Sequence, residues 1–522
     1  MPMPPRSPRR RRLLGAAALA PWLATAPARA TVAPDRTLRV IGPWELSSLD
    51  PLRNGYLFSR MQVTETLVDY DAAGRPAPGL ARQWTVSADQ LLWTFTLRPG
   101  ARFHDGAPVR AADVAAALER ARHAAGVLGV APIAAIAAAD TPAETIRIRL
   151  TRPFAPLPAL LSHSSTQVLA PSAFGPDGTV RTIVGSGPYR IVELEPPQRF
   201  AVAAFDGWQG ARPAIARASY LSVGRAEMRA LMAEGGQADL AYGLDPGSVV
   251  RLAQRASVRL RAVTLPRTTV LKLNAAHPLL ADVRVRQAMS LALDRAGIAT
   301  AILRDRSLAA AQLFPPALPG WHDPALPPLP TDPARARALL AAAGWRPGPD
   351  GTLRRGDDRF ALTLRSFPDR PELPVIATAI QEQLRQVGIA VRVAVGNSSE
   401  IPLGHRDGSL EMALMSRNYG VVPDAFGTVA QDLGGRAGDG GDWGPMHWRA
   451  PDVTDALAAL PAASEADAAA LRRTVAGTLQ RDLPLIPVVW YRQTLAASPQ
   501  LRGVSIDPFE RTYRLTQMEW NR

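Results

Sequence analysis

Few residues of this 522-residue chain are spaced as a known reaction centre requires. A phosphate-binding P-loop needs Gly-Lys-Ser/Thr, but the only lysine, Lys272, follows a leucine. Gly185-Ser186-Gly187 is too compact for a Gly-x-Ser-x-Gly nucleophile elbow, and Pro188 stiffens the chain after it. The seven histidines are scattered and form no His-Glu-x-x-His pair, so we predict no metal site. A hydrolytic site assembled from distant residues stays open as an alternative.

The absence of cysteine and the balance of charge narrow the function classes. Without cysteine the chain has no disulfide, thiolate metal site, cysteine nucleophile or lipid-modified cysteine. The formal net charge of +14 rests on 60 basic residues, nearly all arginine, a bias that a GC-rich genome produces. No arginine cluster after the first thirty residues alternates with aromatic residues, which argues against a nucleic-acid groove.

The first thirty residues have the order of a secretory signal peptide. Arg9–Arg12 precede an alanine-rich apolar stretch, Leu13–Ala26, and Ala28-Arg29-Ala30 is a small-x-small cleavage site. Adjacent arginines before the apolar stretch favour the twin-arginine export route. We expect a mature chain that begins at Thr31, has a formal net charge of +8 once six arginines are removed, and is soluble in the periplasm without a lipid anchor.

Alternation of apolar and polar residues, interrupted by turn-forming residues, predicts strands in the mature chain. The stretches 91–97 and 144–150 alternate apolar and polar residues, as strands with one buried face do. "VGSGPYRIVELEPPQRFAV", from Val184, reads as two strands joined at Pro196-Pro197, and therefore predicts a hairpin.

Capping residues predict where helices begin. A helix is predicted at Asp113, and two clearer ones follow the caps Asp282 and Asp332, the second ending at Gly344. Seven prolines in 315–330 exclude a helix or a central strand there. A mature chain of this length suggests two to three lobes.

Five stretches resemble, in family order, the family 5 solute-binding proteins, which are the peptide, nickel and opine receptors of bacterial ABC importers. The resemblance spans residues 38 to about 510. The last stretch looks closest to the nickel and metal-chelate branch. The stretches are "ETLVDYDAAGRPAPGLARQW" and its continuation (65–114), "GSGPYRIVELEPP", "LKLNAAHPLLADVRVRQAMSLALDR" (271–295), "DPARARALLAAAGW" and "RDGSLEMALMSRNYGVVPDAF" (406–426).

This resemblance implies an α/β fold, the two-lobed periplasmic binding protein fold of class II type, with a hinge between the lobes. A ligand enclosed between the lobes would shift the population towards the closed form. The hairpin after Gly185 would carry the chain back from an inserted subdomain, which is an architectural role. The implied boundaries are 31–62, 183–266 and 490–522 for lobe I, 63–182 for the inserted subdomain, and 267–489 for lobe II.

The resemblance also points to residues of the cleft between the lobes. In the nickel and chelate branch an arginine and an aromatic residue of the late strand face the cleft, and they correspond to Arg417 and Tyr419. Residues two apart on a regular strand share a face, so the arginine could pair with a carboxylate while the ring stacks on the ligand. The structural alternatives are an inter-strand salt bridge for Arg417 and core packing for Tyr419.

Further aromatic candidates for ligand contact are Tyr56 and three residues of "DWGPMHW": Trp443, His447 and Trp448. This stretch follows a Gly/Asp loop and could close on a ligand as a lid. An ordered surface loop packed by its own tryptophans is the alternative.

The chain departs from the nickel-binding members at two places. Those members have an arginine shortly before "APSxF", where this chain has His163 and Gln167. Their Tyr-Asp-Pro-His after the late strand is replaced by "VPDAF" at 422–426. We include His163 among the ligand-binding candidates.

The resemblance therefore predicts the periplasmic substrate-binding component of an ABC importer. The protein would capture a small peptide or a nickel or metal-chelate ligand and deliver it to the permease subunits in the membrane. We expect a monomer that needs no cofactor, binds no nucleic acid and catalyses no reaction. The alternatives are a secreted hydrolase and a ligand sensor that docks on a membrane receptor.

Overall fold

The computed structural model describes residues 36–521, apart from short gaps at 72–73, 125, 140–143, 319, 369, 371 and 435–440. The predicted signal peptide and the predicted mature terminus at Thr31 lie outside the described residues.

The described chain begins with a strand and two short helices that later contribute to a cavity. Strand β1 (Thr37–Gly42) is followed by helices α1 (Pro51–Asn54) and α2 (Tyr56–Arg60). The carboxylate of Asp50 accepts a hydrogen bond from the backbone N–H of Leu52, and proline occupies the first helical position. Both features favour a helix start at this point.

The next segment forms a small four-stranded antiparallel sheet with the order β4-β5-β7-β6. The strands predicted for 91–97 and 144–150 are confirmed, and Ile146, Ile148 and Leu150 are buried as expected. The helix predicted at Asp113 starts two residues earlier, because this carboxylate accepts the backbone N–H of Arg110 from the first turn. The elements are β2 (Val68–Tyr70), β3 (Pro76–Pro78), β4 (Ala81–Val86), β5 (Leu92–Leu97), α3 (Ala111–His123), β6 (Ile133–Ala139), β7 (Thr145–Leu150) and α4 (Leu157–Leu160).

The predicted hairpin is confirmed as antiparallel strands β8 (Tyr189–Glu195) and β9 (Arg199–Ala204). The glycines before it are required by close packing. A Cβ atom on Gly185 would lie 2.2 Å from the carbonyl oxygen of Val63, and one on Gly187 would lie 2.3 Å from that of Gln62. The turn therefore lies directly against the chain that leaves α2. The elements that follow are β10 (Arg217–Ser222), α5 (Ala226–Glu234), β11 (Leu240–Tyr242) and α6 (Pro246–Leu252).

The remaining chain contains the caps predicted from the sequence. Asp282 and Asp332 accept backbone hydrogen bonds at the starts of α7 and α9, and Gly344 has the expected positive φ after α9. The elements are β12 (Arg259–Leu273), α7 (Val283–Ala292), α8 (Arg295–Leu303), α9 (Pro333–Ala342), β13 (Arg346–Pro347), β14 (Leu353–Arg355), β15 (Asp358–Arg359), β16 (Ala361–Ser366), α10 (Glu372–Arg385), β17 (Ala390–Val395), α11 (Glu400–Arg406), β18 (Met412–Asn418), α12 (Phe426–Leu433), α13 (Pro451–Ala459), α14 (Glu465–Asp482), β19 (Leu485–Ala497), β20 (Leu501–Arg502) and β21 (Glu519–Trp520).

One ten-stranded mixed sheet runs through the molecule in the order β17-β16-β18-β12-β19-β11-β1-β10-β9-β8. The long antiparallel strands β12 and β19 lie at its centre and pair along most of their length. We call β11, β1, β10, β9 and β8 the first half of the sheet, and β18, β16 and β17 the second half. The pairing of β12 with β19 breaks register between Thr264 and Thr268, opposite Arg492 and Trp490.

Three hydrophobic clusters surround this sheet. The largest joins the second half to the four-stranded sheet of residues 81–150. The other two cover opposite faces of the first half, because the neighbouring residues Val40 and Ile41 of β1 belong to different clusters. The two halves thus have separate cores and are joined by β12 and β19.

Candidate ligand-binding site

Two cavities lie beside the crossing strands. The larger, of about 1160 Å³, is lined by α1 and α2, by residues 162–165, by the carboxyl-terminal residues 507–517, and by Asn418 and Val421 beyond the crossing strands. The smaller, of about 550 Å³, lies at the carboxyl ends of β1, β10, β11 and β16. Ligands of open α/β sheets bind at such strand ends, and both cavities are of a size that encloses a small molecule.

Tyr56 and His163 line the larger cavity, as their selection from the sequence requires. Tyr56 is the first residue of α2. The ring nitrogen Nδ1 of His163 accepts a hydrogen bond of 3.1 Å from the backbone N–H of Ser165, which leaves the proton on Nε2. Burial lowers the pKa of His163 to about 4, so the ring is neutral at pH 7. Whether either side chain contacts a ligand stays a prediction.

Gln167 has a structural role behind this wall. Its amide donates to the carbonyl oxygen of Gly55 at 2.8 Å and accepts from the hydroxyl of Thr64 at 2.7 Å. The amide nitrogen thereby holds Gly55, the residue that precedes Tyr56, and the amide oxygen is bound by Thr64. Gln167 is 4% exposed and is absent from the described lining of either cavity, so it does not present its side chain as a substitute for an arginine.

A buried ionic cluster forms one wall of the larger cavity. Arg267 of β12 donates to the carboxylate of Glu510 at 2.6 Å. Arg60 of α2 donates to the backbone oxygen of Glu510 at 2.6 Å, and its guanidinium lies 3.8 Å from the carboxylate. Arg60 and Arg267 are 7% and 8% exposed. We call Arg60, Arg267 and Glu510 the partition, because Arg267 lines both cavities.

The charge of the partition is positive. Burial alone would raise the pKa of Glu510, but the guanidinium groups of Arg267 and Arg60 outweigh burial and hold the pKa below its ordinary value. The carboxylate is therefore ionised at neutral pH and compensates one of the two arginines. A third arginine, Arg370, lies 4.6 Å from the ring centre of Tyr491, and Arg267 lies 5.0 Å from the same centre. Glu372, which also lines the smaller cavity, acts on Arg370, so the remaining excess is that of the partition, and it suits a ligand that carries a carboxylate.

Other arginines of the larger cavity are already paired with acids of the cavity wall. Arg98 forms a two-point bond with Glu65 at 2.5 and 2.6 Å. Arg511 lies 2.8 Å from Asp69, at the mouth beside β2. Such pairs shape the wall but leave little charge for a ligand, so the local excess is carried by the partition and by Arg53, which is exposed at the same cavity.

The sequence predicts that Arg417 and Tyr419 face the ligand cleft, but in the structure Asn418, which lies between them, faces the larger cavity. Arg267 pairs directly with Asn418 across β12 and β18, and both of these residues line the larger cavity. Alternation then turns Arg417 and Tyr419 to the other face of the sheet. Neither is among the described residues that line the two cavities.

The geometry of both residues matches the structural alternatives instead. Arg417 forms a two-point ion pair with the buried Asp432 of α12, with both distances 2.6 Å. Tyr419 is 2% exposed, and its ring packs edge-on against Phe314 at 5.2 Å. The face that these two residues share is turned to the core of the second half, so the geometry favours the structural alternatives, and a ligand contact by either residue stays a prediction.

Lys272 extends the buried polar cluster behind Arg417. Its ammonium group lies 2.5 Å from Nδ1 of His405 and 2.5 Å from the backbone oxygen of Asp442. Burial lowers the pKa of Lys272 to about 7, although Asp432 and Asp442 act in the opposite direction. We call Lys272, His405, Arg417 and Asp432 the inner cluster. Lys272 belongs to β12 and Arg417 to β18, whereas His405 lies on α11 and Asp432 on α12.

The aromatic stretch proposed as a lid lies beside the end of β12. The backbone of Met446 bonds to Leu273 and Ala275, which attaches the stretch to this strand. Trp443 and Trp448 pack against the largest hydrophobic cluster, and His447 is exposed. None of Trp443, His447 and Trp448 is among the described lining of the two cavities, so the geometry favours the ordered-loop alternative.

Sequence reasoning missed the partition. One signal was available: Arg267 follows a proline inside a long apolar strand, "TLPRTTVLKL", where a charge needs a partner. Glu510 and Arg60 gave no local signal. As for metals, residues 36–521 outside the gaps contain no group of three or more His, Cys, Asp and Glu side chains that could hold an ion.

Comparisons with known proteins agree with this architecture. Among curated relatives, the nickel-binding periplasmic protein of Escherichia coli (strain K12) is 30% identical over 393 residues, which cover 71% of this chain and 73% of that protein. The glutathione-binding protein GsiB of Salmonella typhi is 29% identical over 329 residues, and this match covers 61% of its length.

Solved structures of low identity share the fold. NikA from Brucella suis in complex with Fe(III)-EDTA superimposes with a TM-score of 0.84 at 24% identity, over 93% of this chain and 100% of that one. The oligopeptide-binding protein AppA from Bacillus subtilis, in complex with a nonapeptide, gives a TM-score of 0.77 at 17% identity, over 93% and 99%. The predicted two-lobed α/β fold is thereby confirmed.

The family described as bacterial extracellular solute-binding proteins, family 5, matches residues 75–439. Together with the coverage of the nickel-binding relative, this match identifies the chain as a member of family 5 of the bacterial extracellular solute-binding proteins.

Proposed function

We propose that the protein is the substrate-binding component of an ABC importer and acts in the periplasm. It captures a small peptide or a nickel or metal chelate between two lobes and delivers it to the permease. Family membership supports this proposal, as do relatives named for nickel and glutathione binding. Binding and release are the whole of the proposed activity, without a catalytic step.

The observation that carries the proposal is the larger cavity, of about 1160 Å³, lined from both sides of the crossing strands. Tyr56 and His163 approach from one side, and Asn418 and Val421 approach from the other. A ligand that contacts both sides stabilises only the arrangement in which they are close together, and therefore favours closure. We propose Tyr56, His163 and Arg267 as ligand contacts.

The lobes are proposed to divide where β12 and β19 lose register. Lobe I would comprise 31–62, 183–266 and 490–522, the inserted subdomain 63–182, and lobe II 267–489. The break between Thr264 and Thr268 and the separate cores of the two halves support boundaries near 266 and 490. Backbone torsions at this break would then act as the hinge.

The ligand is proposed to carry carboxylates. The partition has two arginines for one carboxylate, and Arg370 adds a third cation nearby. Since the described residues lack a cluster of metal ligands, a nickel ion would have to enter with an organic chelator. A free peptide and a carboxylate-rich chelate share this chemistry, and bidentate arginine pairing recognises both.

Periplasmic delivery is proposed to depend on the signal peptide, with cleavage after Ala30. The described residues contain no helix with the length and apolar character to cross a membrane. Edman or mass-spectrometric sequencing of the periplasmic protein should find Thr31 at the amino terminus. Full-length chain in that fraction would refute the proposed cleavage.

The binding function is tested with defined probes: the nickel–bis(histidine) complex, glutathione and tri-alanine. A true ligand should raise the free energy of unfolding by about 2.7 kcal/mol at one hundred times its dissociation constant. It should also reduce the radius of gyration in X-ray scattering, because the lobes close. An unchanged radius at saturation would contradict hinge closure, and steady conversion of a probe into product would instead support a secreted hydrolase.

A further inference from the structure

The linings of the two cavities share one residue and are in contact at another point. Arg267 belongs to the lining of both. Arg60 lines the larger cavity and Trp44 lines the smaller, and the Arg60 guanidinium lies 4.0 Å from the Trp44 ring centre. The Arg60–Trp44 contact and the Arg267–Glu510 bond therefore lie at the boundary between the two spaces.

The partition is held by bonds that need no ligand. Glu510 binds Arg267 through its carboxylate and Arg60 through its backbone oxygen. Arg267 also rests 5.0 Å from the ring of Tyr491, which lines the smaller cavity. Buried charge-assisted bonds of this kind are strong and geometrically restrictive. The boundary is thus built from mutual contacts, while Nη1 of Arg60 and Oε1 of Glu510 are buried without a hydrogen-bond partner among the described residues.

We propose that the partition is a specificity-determining element that confines the ligand to the larger cavity and so limits its length. The inference rests on the proposed function and deepens it by naming the substrate class. Compact carboxylate-bearing ligands, such as one metal chelate or a di- or tripeptide, fit within the larger cavity. A longer extended peptide, which advances about 3.3 Å per residue, meets the partition where it continues towards the smaller cavity and is blocked there.

The fold itself does not impose this limit. AppA, which shares the fold, holds a nonapeptide. In the present chain the two cavities measure about 1160 and 550 Å³, and the side chains of Arg60, Arg267 and Trp44 lie at their boundary, where substitution can remove them. The limit is therefore a property of Arg60, Arg267 and Glu510.

The test compares hexa-alanine with tri-alanine and the nickel–bis(histidine) complex by calorimetry. The double variant Arg267→Ser/Glu510→Ser removes both members of the ion pair, which avoids an unpaired buried carboxylate and keeps the local net charge. Because loss of the Arg267 contact weakens both peptides alike, we expect the ratio of hexa-alanine affinity to tri-alanine affinity to be at least about tenfold higher than in the wild type.

A matched control is Arg39→Ser/Asp239→Ser. This pair is also a two-point ion pair, with distances of 2.9 Å, and lies in the first half away from the described cavity linings. It should keep the wild-type preference for short probes. Should the main double variant not fold, Arg60→Ala opens the boundary beside Trp44 while the Arg267–Glu510 bond persists, and it should also gain hexa-alanine binding.

The outcomes separate the two proposals. If the wild type binds tri-alanine or the nickel complex and no folded partition variant shifts its relative affinity towards hexa-alanine, the partition does not set ligand length. Equal affinity of the wild type for hexa-alanine and tri-alanine would overturn it as well. If the wild type binds none of the three probes and the variants gain none, both the partition's role and the proposed function fail.

Discussion

The protein buries two ionic clusters on the same central strand, and they differ in what surrounds them. The partition borders two cavities and has two arginines for one carboxylate. The inner cluster lies behind the strand, where Arg417 is matched by Asp432 and Lys272 contacts His405. An excess of charge beside a cavity suits a ligand, whereas a two-point ion pair in a core serves the fold.

The largest effect on stability is expected from a substitution that breaks the inner cluster. Arg417→Ala removes both hydrogen bonds to the carboxylate of Asp432, which is 2% exposed and keeps only the charge of Lys272 nearby. We expect the free energy of unfolding to fall by about 3–5 kcal/mol, the cost of an uncompensated buried charge. Urea denaturation of the ligand-free protein measures this loss, and calorimetry should show unchanged ligand affinity.

The matched control for Arg417 is Arg385→Ala, which removes an exposed arginine paired with Glu382 and should change stability little. Weakened binding with unchanged stability in Arg417→Ala would restore the sequence-based view of this residue as a ligand contact.

The partition should respond in a different way. Arg267→Ala removes the hydrogen bond to Glu510, but Arg60 remains near the same carboxylate. We expect a smaller loss in unfolding free energy, of about 1.5–3 kcal/mol, together with a ten- to hundredfold loss of affinity for a carboxylate-bearing probe. Calorimetry with the tightest of the defined probes checks this. An affinity equal to that of the wild type would show that the cluster has no contact with the ligand.

The inner cluster also predicts a pH dependence. The pKa of Lys272 is about 7 in the folded chain and 10.5 ordinarily, so the unfolded chain binds more protons between these values. Stability should therefore rise with pH from about 7 upwards, by at most about 1.4 kcal/mol per pH unit.

Lys272→Met removes the titrating group, so the difference in unfolding free energy between wild type and variant should change with pH in this window. Parallel stability curves for the two proteins from pH 7 to pH 9 would contradict the assigned origin of the dependence.

The smallest effect is expected from the aromatic stretch. His447 is exposed and has a positive φ of 52°, a conformation that asparagine also tolerates. His447→Asn should change the unfolding free energy by less than about 0.5 kcal/mol and leave probe affinity unchanged. A clear loss of affinity in this variant would revive the proposal that the stretch closes on the ligand.

Local structure was readable from the sequence because its causes are local. Asp282 and Asp332 cap helices through bonds to residues two and three positions away, and the hairpin at Pro196 needs only its own strands. The two-lobed fold followed from the resemblance of whole stretches. These predictions depend little on where distant segments meet.

The site was harder to predict because it depends on which face of a strand each residue occupies and on contacts between residues that are distant in the sequence. Arg417 and Tyr419 do share a face, yet Asn418 is the residue that faces the cavity. Which face of a strand meets a cavity is set by the neighbouring strands, and a shift of one residue reverses it. Arg267 and Glu510 are 243 positions apart, so their pairing exists only in the folded chain.

The pairing of β12 with β19 has a consequence for how such a chain can be recombined. Lys272 and Leu485 are direct partners on antiparallel strands, so the chain leaves for the second half and returns at adjacent points, about 5 Å apart. The segment between Lys272 and Leu485 is therefore one continuous cassette, and its two junctions lie side by side. A related receptor could exchange this cassette by two crossovers and acquire a new ligand-facing surface, while the partition, whose members lie outside it, would be inherited intact.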